Sequence, residues 1–536
     1  MAVPSTATAS SRLDPARTYL AARAAAISGD HSRSAQLLGA LVEGSAANRT
    51  IAREAVAQAI SAGEMKLALR LARSMTPVDL SPEARLLLVA DELRERRPDR
   101  AVQYLQGTTG GDVNLTFIAP VVEAWRFAER RDARALQLLD RFPANNPLIN
   151  YVPEQRAFVL LKLGRAAEAQ PFVERALSAA GAREHRLRLG FADAFLGAGD
   201  RARAVAVLQG LGTEVGRARE RVSQGRGNGL AVASAADAYA EVLLALAIDL
   251  NRLQNSFMPV ALTQIARFTA PQNSSASVLL GAFLERRERV PEALAAYRAV
   301  PADNALAAQA RDAEVRALVD SDREAEALAV AQRAMGRSAS VSDYARLGDA
   351  YAGLKRFNEA ADAYGRALAL VQNGSAEQRW PLLLLQASAL EDANRWPESR
   401  QALETAMTLA PSEPLLLNFL GYAKLERGED LDAAEAMIRK ASELDPDNAS
   451  ITDSLGWAVY KRGRLAEAID ILTRAAKGDP TQAEIHEHLG DALYKAGNRF
   501  EARYAWQAAL ATAEDEVAAR IKAKIETGLT AASAAP

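Results

Sequence analysis

The chain of 536 residues contains no cysteine. Disulfides, thiol catalysis, thiolate metal sites and a lipid-bearing N-terminal cysteine are therefore excluded within it. Aromatic residues are scarce, at 6%. No uninterrupted apolar run approaches about eighteen residues, so no transmembrane helix is expected. Neither sign of charge dominates: 65 basic residues face 67 acidic ones, for a net charge of −2. A general nucleic-acid binder draws its affinity from phosphate neutralisation, so this balance argues against one. It argues equally against a polybasic membrane-surface protein. What is abundant is alanine, leucine and arginine, a composition that favours helix. At 49% apolar, the chain can bury a large core.

The N-terminus reads MAVPSTATASSRLDP. Ala7-Thr8-Ala9 has the small-x-small look of a signal-peptidase site, but the apolar segment that should precede it is missing. Residues 1–12 are read as a disordered tail, as either the remnant of an export signal or a plain cytoplasmic extension.

One short pattern recurs along the chain. A polar or glycine turn is followed by alanine opening an amphipathic run, as in GNRFEA ending at Ala502, GRLAEA at Ala468 and LKRFNEA at Ala360. Aligned on that small residue, the series is Ala35, Ala68, Ala101, Ala135, Ala169, Ala204, Ala261, Ala293, Ala327, Ala360, Ser399, Ala434, Ala468 and Ala502. The spacing returns repeatedly to 34, as from Ala434 to Ala468 to Ala502. Such self-similarity marks a repeat architecture. Leu-Gly pairs precede the key residue at Leu280-Gly281, Leu347-Gly348, Leu420-Gly421, Leu455-Gly456 and Leu489-Gly490. The pattern predicts two antiparallel helices crossing closely, with the glycine of the first meeting the alanine of the second. Phe419, Leu472 and Trp506 fill the space around that contact. Proline at Pro411, Pro446 and Pro480 separates one unit from the next. No such unit buries its apolar face alone, so the units must stack.

Residues Ser454 to Pro480, SLGWAVYKRGRLAEAIDILTRAAKGDP, resemble tetratricopeptide (TPR) repeats. The resemblance implies an all-α, right-handed superhelical solenoid of about 14 helix–turn–helix units. The N-terminal units keep the spacing and lose the Leu-Gly pair. Two gaps break the period. Ala204 and Ala261 stand 57 apart, and Ala360 and Ser399 stand 39 apart. The larger gap holds Gly225, Gly227 and Gly229 before a long apolar helix. A phosphate-cradling loop would need a preceding strand or a following GK[ST], and neither is present. The gap is read as a hinge with a long helix joining two lobes, 13–225 and 226–528. DEVAARIKAKIET, Asp515 to Thr527, suits a solvating cap helix on the last unit. Residues 529–536 are read as a disordered tail.

No nucleophile motif such as GxSxG occurs, and His31 and His185 are isolated. His486 and His488 flank Glu487, but residues two apart on a helix do not face each other, so they do not chelate one ion together. A zincin spacing would need histidine where Gly490 stands. No enzyme activity, metal or cofactor is expected.

TPR proteins typically hold partner segments on the face made by their first helices. Register places Tyr422, Trp457, Tyr460, Lys461, Asp491, Tyr494 and Lys495 on that side. One turn earlier come Asn418, Asp453 and Glu487. These residues are expected to form an exposed aromatic stripe flanked by both charges, a surface suited to protein or peptide partners. Chaperone-tail TPR domains grip a carboxylate with Lys, Asn and Arg; here Asp453, Trp457, Glu487 and Asp491 stand at the comparable points, so that clamp is not reproduced. The stretches Leu417–Ala468 and Glu484–Leu510 are similar to large TPR proteins of Gram-negative bacteria, with GRGNGLAVA and YRAVPADN matching their mid-chain segments. Some relatives are envelope lipoproteins that act as protease adaptors. The resemblance implies a non-catalytic scaffold or adaptor in the periplasm or envelope. The alternative is a cytoplasmic assembly factor or co-chaperone. Partner identity and oligomeric state are not legible.

Overall fold

The computed structural model describes residues 14–44, 48–106, 114–209, 216–251, 258–335, 339–513, 515–530 and 533–535. The expected N-terminal tail, 1–12, lies outside them. Among the described residues there are thirty α-helices, three short 3-10 turns and no strand. The fold is all-α, built from successive helical pairs. Every one of the aligned small residues lies on the second helix of a helical pair. All but the half-buried Ala261 are fully buried, including Ser399, whose hydroxyl donates to the Ala387 carbonyl at 2.8 Å.

The close crossing takes a specific form. A methyl group added to Gly490 would lie 2.4 Å from the Trp506 indole. At Gly456 it would meet Leu472 at 2.6 Å, at Gly348 Tyr364 at 2.5 Å, and at Gly281 Tyr297 at 2.2 Å. The glycine therefore receives the side chain four residues after the key alanine rather than the alanine itself. Only at Gly421 does the alanine's own backbone, the Ala434 carbonyl, approach as closely as 2.9 Å. The reason is helical geometry: the alanine brings the axes together, and the side chain one turn on drops into the notch that glycine leaves.

The turn inside each pair is equally regular. The first helix ends in a left-handed residue, as at Gly463 (φ +79°) and Gly497 (φ +94°). At Gly463 the amides of Gly463 and Arg464 donate back to the carbonyls of Tyr460 and Val459, a helix-ending Schellman pattern. At Lys355 the same conformation (φ +56°) and the same back-bonds are made by a side-chain-bearing residue.

Two compact units divide the chain, Met1–Ala334 and Met335–Pro536. The break near Gly225 lies inside the first. There the helix Ala235–Leu250 does not bridge two lobes. It packs on the first helices Pro82–Arg94 and Ala119–Ala128 of the N-terminal pairs, and its partner Met258–Thr269 packs on Arg49–Ser61 and Pro82–Arg94. A helix this rich in buried apolar residues must be covered on most of its faces, and no single neighbour achieves that. The Tyr239 hydroxyl donates to the Leu86 carbonyl at 2.9 Å, and the Ala235 amide to Glu129 at 2.7 Å. Arg186 pairs with Glu241 with both side chains buried, and Arg289 donates to the Ser61 hydroxyl at 2.9 Å. Nor is the glycine loop a free hinge. It wraps the buried Asp193 carboxylate, which accepts the Asn228 amide at 2.8 Å and the Leu230 amide at 2.8 Å. The amides that an anion would need are thus held by the chain's own carboxylate.

The second unit stacks five helical pairs, Val341–Gly353 with Phe357–Leu370 through Ala483–Lys495 with Arg499–Thr512, and ends in the helix Asp515–Thr527. Of residues 529–536, expected to form a disordered tail, 529–530 and 533–535 are described. Thr530 and Ser533 hydroxyls bond at 3.0 Å, and the Ala535 amide donates to Asp491 at 3.1 Å.

Two predictions follow from these contacts. Lys355→Gly relieves a left-handed residue and raises stability by about 0.5–1 kcal/mol, while Gly490→Ala drives a methyl into Trp506 and lowers it by about 1–3 kcal/mol; paired urea titrations measure both. Glu241→Ala leaves Arg186 charged and unpaired in the interior and destabilises the first unit by about 3–5 kcal/mol. Hydrogen exchange should then report faster opening of Ala235–Leu250, and unchanged protection there would refute this.

Candidate protein-binding surface

Three consecutive first helices carry the surface that register singles out: Pro414–Glu426, Ala449–Lys461 and Ala483–Lys495. The structure brings the expected residues together, but it buries most of them. Trp457 is 1% exposed and Tyr460 7%. Trp457 is stacked between neighbours: His488 of the next pair lies with its ring 4.0 Å away at 11°, and Tyr460 lies 4.6 Å away at 13°. The Trp457 indole N–H donates to Glu426 at 3.2 Å. The expected exposed aromatic stripe is thus largely an internal stack, because each first helix lies against the next and its aromatic rings fill that seam.

The charged members of the set are also engaged. Glu487 accepts two hydrogen bonds from Arg520, each 2.8 Å, and one from Lys524 at 2.6 Å. Asp491 accepts from Lys524 at 2.7 and 2.8 Å and from the Trp506 indole at 2.9 Å. Lys524 is 0% exposed, so the final helix is a plug as well as a solvating cap. Burial works to raise the Glu487 carboxyl, but the hydrogen bonds of Arg520 and Lys524 hold it below the ordinary carboxylate value. Tyr494 is half-buried, 5.4 Å from the Trp506 ring, with its hydroxyl against Gly528. Lys461 and Lys495 are exposed; their ammonium groups lie over Trp457 at 5.2 Å and Tyr460 at 4.8 Å.

Asn418 and Tyr422 stand differently. Both are half-buried and line an open cleft of about 300 Å³, with Phe419, Glu426, Asp453 and Glu484 around them. Asn418 Oδ1 and Asp453 Oδ1 are buried and have no hydrogen-bond partner.

The two histidines diverge as helical spacing requires. His486 Nε2 bonds the Pro480 carbonyl at 3.1 Å, and His488 Nδ1 donates to Asp453 at 2.9 Å. Among the described residues no three His, Asp or Glu side chains converge as metal ligands. Sequence reasoning missed His488 and Lys524. A histidine immediately before the Leu-Gly pair gives no sign that it faces a carboxylate on the preceding repeat.

Comparison with known proteins bears on the family. A model described as "TPR repeat" matches residues 456–497, and models described as "Tetratricopeptide repeat" match 384–449 and 344–370. The chain contains tetratricopeptide repeats. A TPR repeat-containing protein of Pseudomonas aeruginosa is 30% identical over 199 residues, 37% of this chain. That match spans 32% of the curated relative's length. Similar solved structures include a chain of the APC/C hetero-tetramer Cut9–Hcn1, at 15% identity over 97% of each chain with a TM-score of 0.39. They also include MamA, at 21% identity over 33% of this chain and 96% of that one, with a TM-score of 0.25. Among the described residues of this TPR protein, no helix is long and apolar enough to cross a membrane.

The buried His488 makes a pH prediction. Burial pushes its pKa down, but the carboxylates of Asp453, Glu484 and Asp491 outweigh that and raise it above 6.5. A folded-state pKa above the unfolded one means the charged histidine contributes stability that is complete below the unfolded value and is lost as pH rises through the folded value. The urea midpoint should therefore fall as pH rises from about 6 to about 8, and His488→Gln should flatten that dependence. An unchanged slope in the variant would show that other groups set it.

Proposed function

We propose that this TPR protein is a non-catalytic scaffold that holds partner proteins in the cleft over Asn418, Tyr422 and Asp453. TPR repeats support a protein-interaction role in general. The observation that carries the specific reading is the contrast within one surface. Trp457, Tyr460, Glu487 and Asp491 are engaged by the chain itself, whereas the cleft presents Phe419 and Tyr422 half-buried beside two buried acceptors without partners. Half-buried aromatics beside unmet polar groups are what a partner's side chains satisfy. We place the scaffold in the bacterial envelope, possessing an adaptor role toward a protease, on its resemblance to the large Gram-negative TPR proteins.

The expected outcome is specific. Phe419→Ala/Tyr422→Ala removes two half-buried rings and should reduce recovery of bound partners by about tenfold while lowering the melting curve less than Trp457→Ala does. Trp457→Ala should instead destabilise the fold by about 3–5 kcal/mol, as loss of a stacked core ring does. Quantitative affinity capture from the native host, read beside thermal melts, separates the two. Equal recovery with the double variant refutes the cleft. Fractionation of the same cells tests the location: recovery in the cytosol would favour the assembly-factor alternative.

A further inference from the structure

The last repeat carries its own ligand. Glu487 and Asp491 lie in the interior, and the residues that neutralise them, Arg520 and Lys524, arrive from a helix outside the repeats. One repeat earlier, the position of Glu487 is held by Asp453, and one earlier still by Asn418. Both face the open cleft. Asp453 is only 6% exposed; its Oδ2 takes the His488 proton donor, and its Oδ1 receives no hydrogen bond. Asn418 Oδ1 is in the same position. A buried acceptor without a donor is costly unless something fills the site.

The chemistry of the walls selects what fills it. Glu391, Glu426, Asp453 and Glu484 line the cleft against a single lining cation, Arg427, and that one is already paired with Glu391. The other positive groups near it are His488, behind Asp453, and Lys461, 3.6 Å from Glu426. Four carboxylates against three positive groups leave the cleft short of positive charge. Burial, with the charges of Glu426, Glu484 and Asp453, raises the Tyr422 hydroxyl pKa, which is the sign of the same field. Phe419 and Tyr422 add ring faces that suit the methylene stem and the cationic head of a long basic side chain.

We infer that the cleft receives an arginine or lysine side chain from a partner's basic segment, seated against Asp453, Glu426 and Tyr422 as Arg520 and Lys524 are seated against Glu487 and Asp491. This rests on the scaffold reading of the same cleft and adds the chemical class of what it holds. An acidic or purely apolar segment would leave the Asp453 and Asn418 acceptors unmet. An arginine supplies up to five N–H donors in a planar fork, enough for several of these oxygens at once.

The test uses the full chain and fluorescein-labelled peptides of one Ala/Tyr-rich sequence, carrying Arg, Lys, Gln or Glu at two positions a helical turn apart. By anisotropy, the Arg and Lys peptides should bind at least about tenfold more tightly than the Gln peptide, and the Glu peptide should not bind. Their affinity should weaken as salt rises from about 50 to about 200 mM. Glu426→Gln/Glu484→Gln should cost the Arg peptide about tenfold and leave the Gln peptide unchanged. Should that variant misfold, the peptide series and salt dependence of the unmodified chain decide alone. Equal binding of all four peptides, or tighter binding of the Glu peptide, overturns the basic preference; if Phe419→Ala/Tyr422→Ala still weakens that binding, the scaffold reading survives it. Absence of binding by every peptide overturns the inference too, and the host-capture result for Phe419→Ala/Tyr422→Ala then reports separately on the scaffold.

Discussion

Two helices packed at short distance leave no room for a large side chain at the crossing, and every pair that carries the Leu-Gly signature rests on that condition. Gly281, Gly348, Gly456 and Gly490 meet it, and Tyr297, Tyr364, Leu472 and Trp506 use the space. Where the pair is built with Ala387 and Ser399 instead, the serine hydroxyl reaches the facing carbonyl and keeps the approach close. The side chain that enters the notch also carries chemistry. Tyr297 donates to Glu285, Tyr364 to Asp349 and Trp506 to Asp491, so the crossing orients a carboxylate on the first helix. Packing and the polar network of the surface are therefore one construction.

A repeat array leaves unmatched faces at its ends and along its inner surface, and this chain covers them with its own helices. In the first unit the largely apolar helix Ala235–Leu250 lies on the first helices of the N-terminal pairs, tied by Arg186–Glu241 and Tyr239. Such contacts join residues far apart in sequence, so this unit is not the nearest-neighbour stack of an ideal solenoid. In the second unit the helix Asp515–Thr527 seals the last repeat through Lys524 and Ile521. The cleft over Asn418 and Tyr422 lies on the same face, two repeats earlier, and stays open. It is there that unmet acceptors and half-buried rings coincide.

The 34-residue period, the small residue on each second helix and the terminal capping helix were all legible in the sequence, because they follow from local rules: helical spacing, the room a glycine leaves, and the need to stack. The candidate surface was legible as a set of positions, since register alone puts Asn418, Asp453 and Glu487 on one face. Its state was not. Whether Trp457 meets solvent depends on where His488 of the next repeat falls, and whether Glu487 is free depends on Lys524, thirty-seven residues on. Periodicity and composition act through neighbouring residues, and they suffice to specify an all-α repeat protein without cysteine chemistry. Which acidic groups are already paired, the filling of the glycine loop by Asp193 and the packing of the long helix on the N-terminal pairs emerge in three dimensions, since each depends on contacts between residues that no local pattern relates.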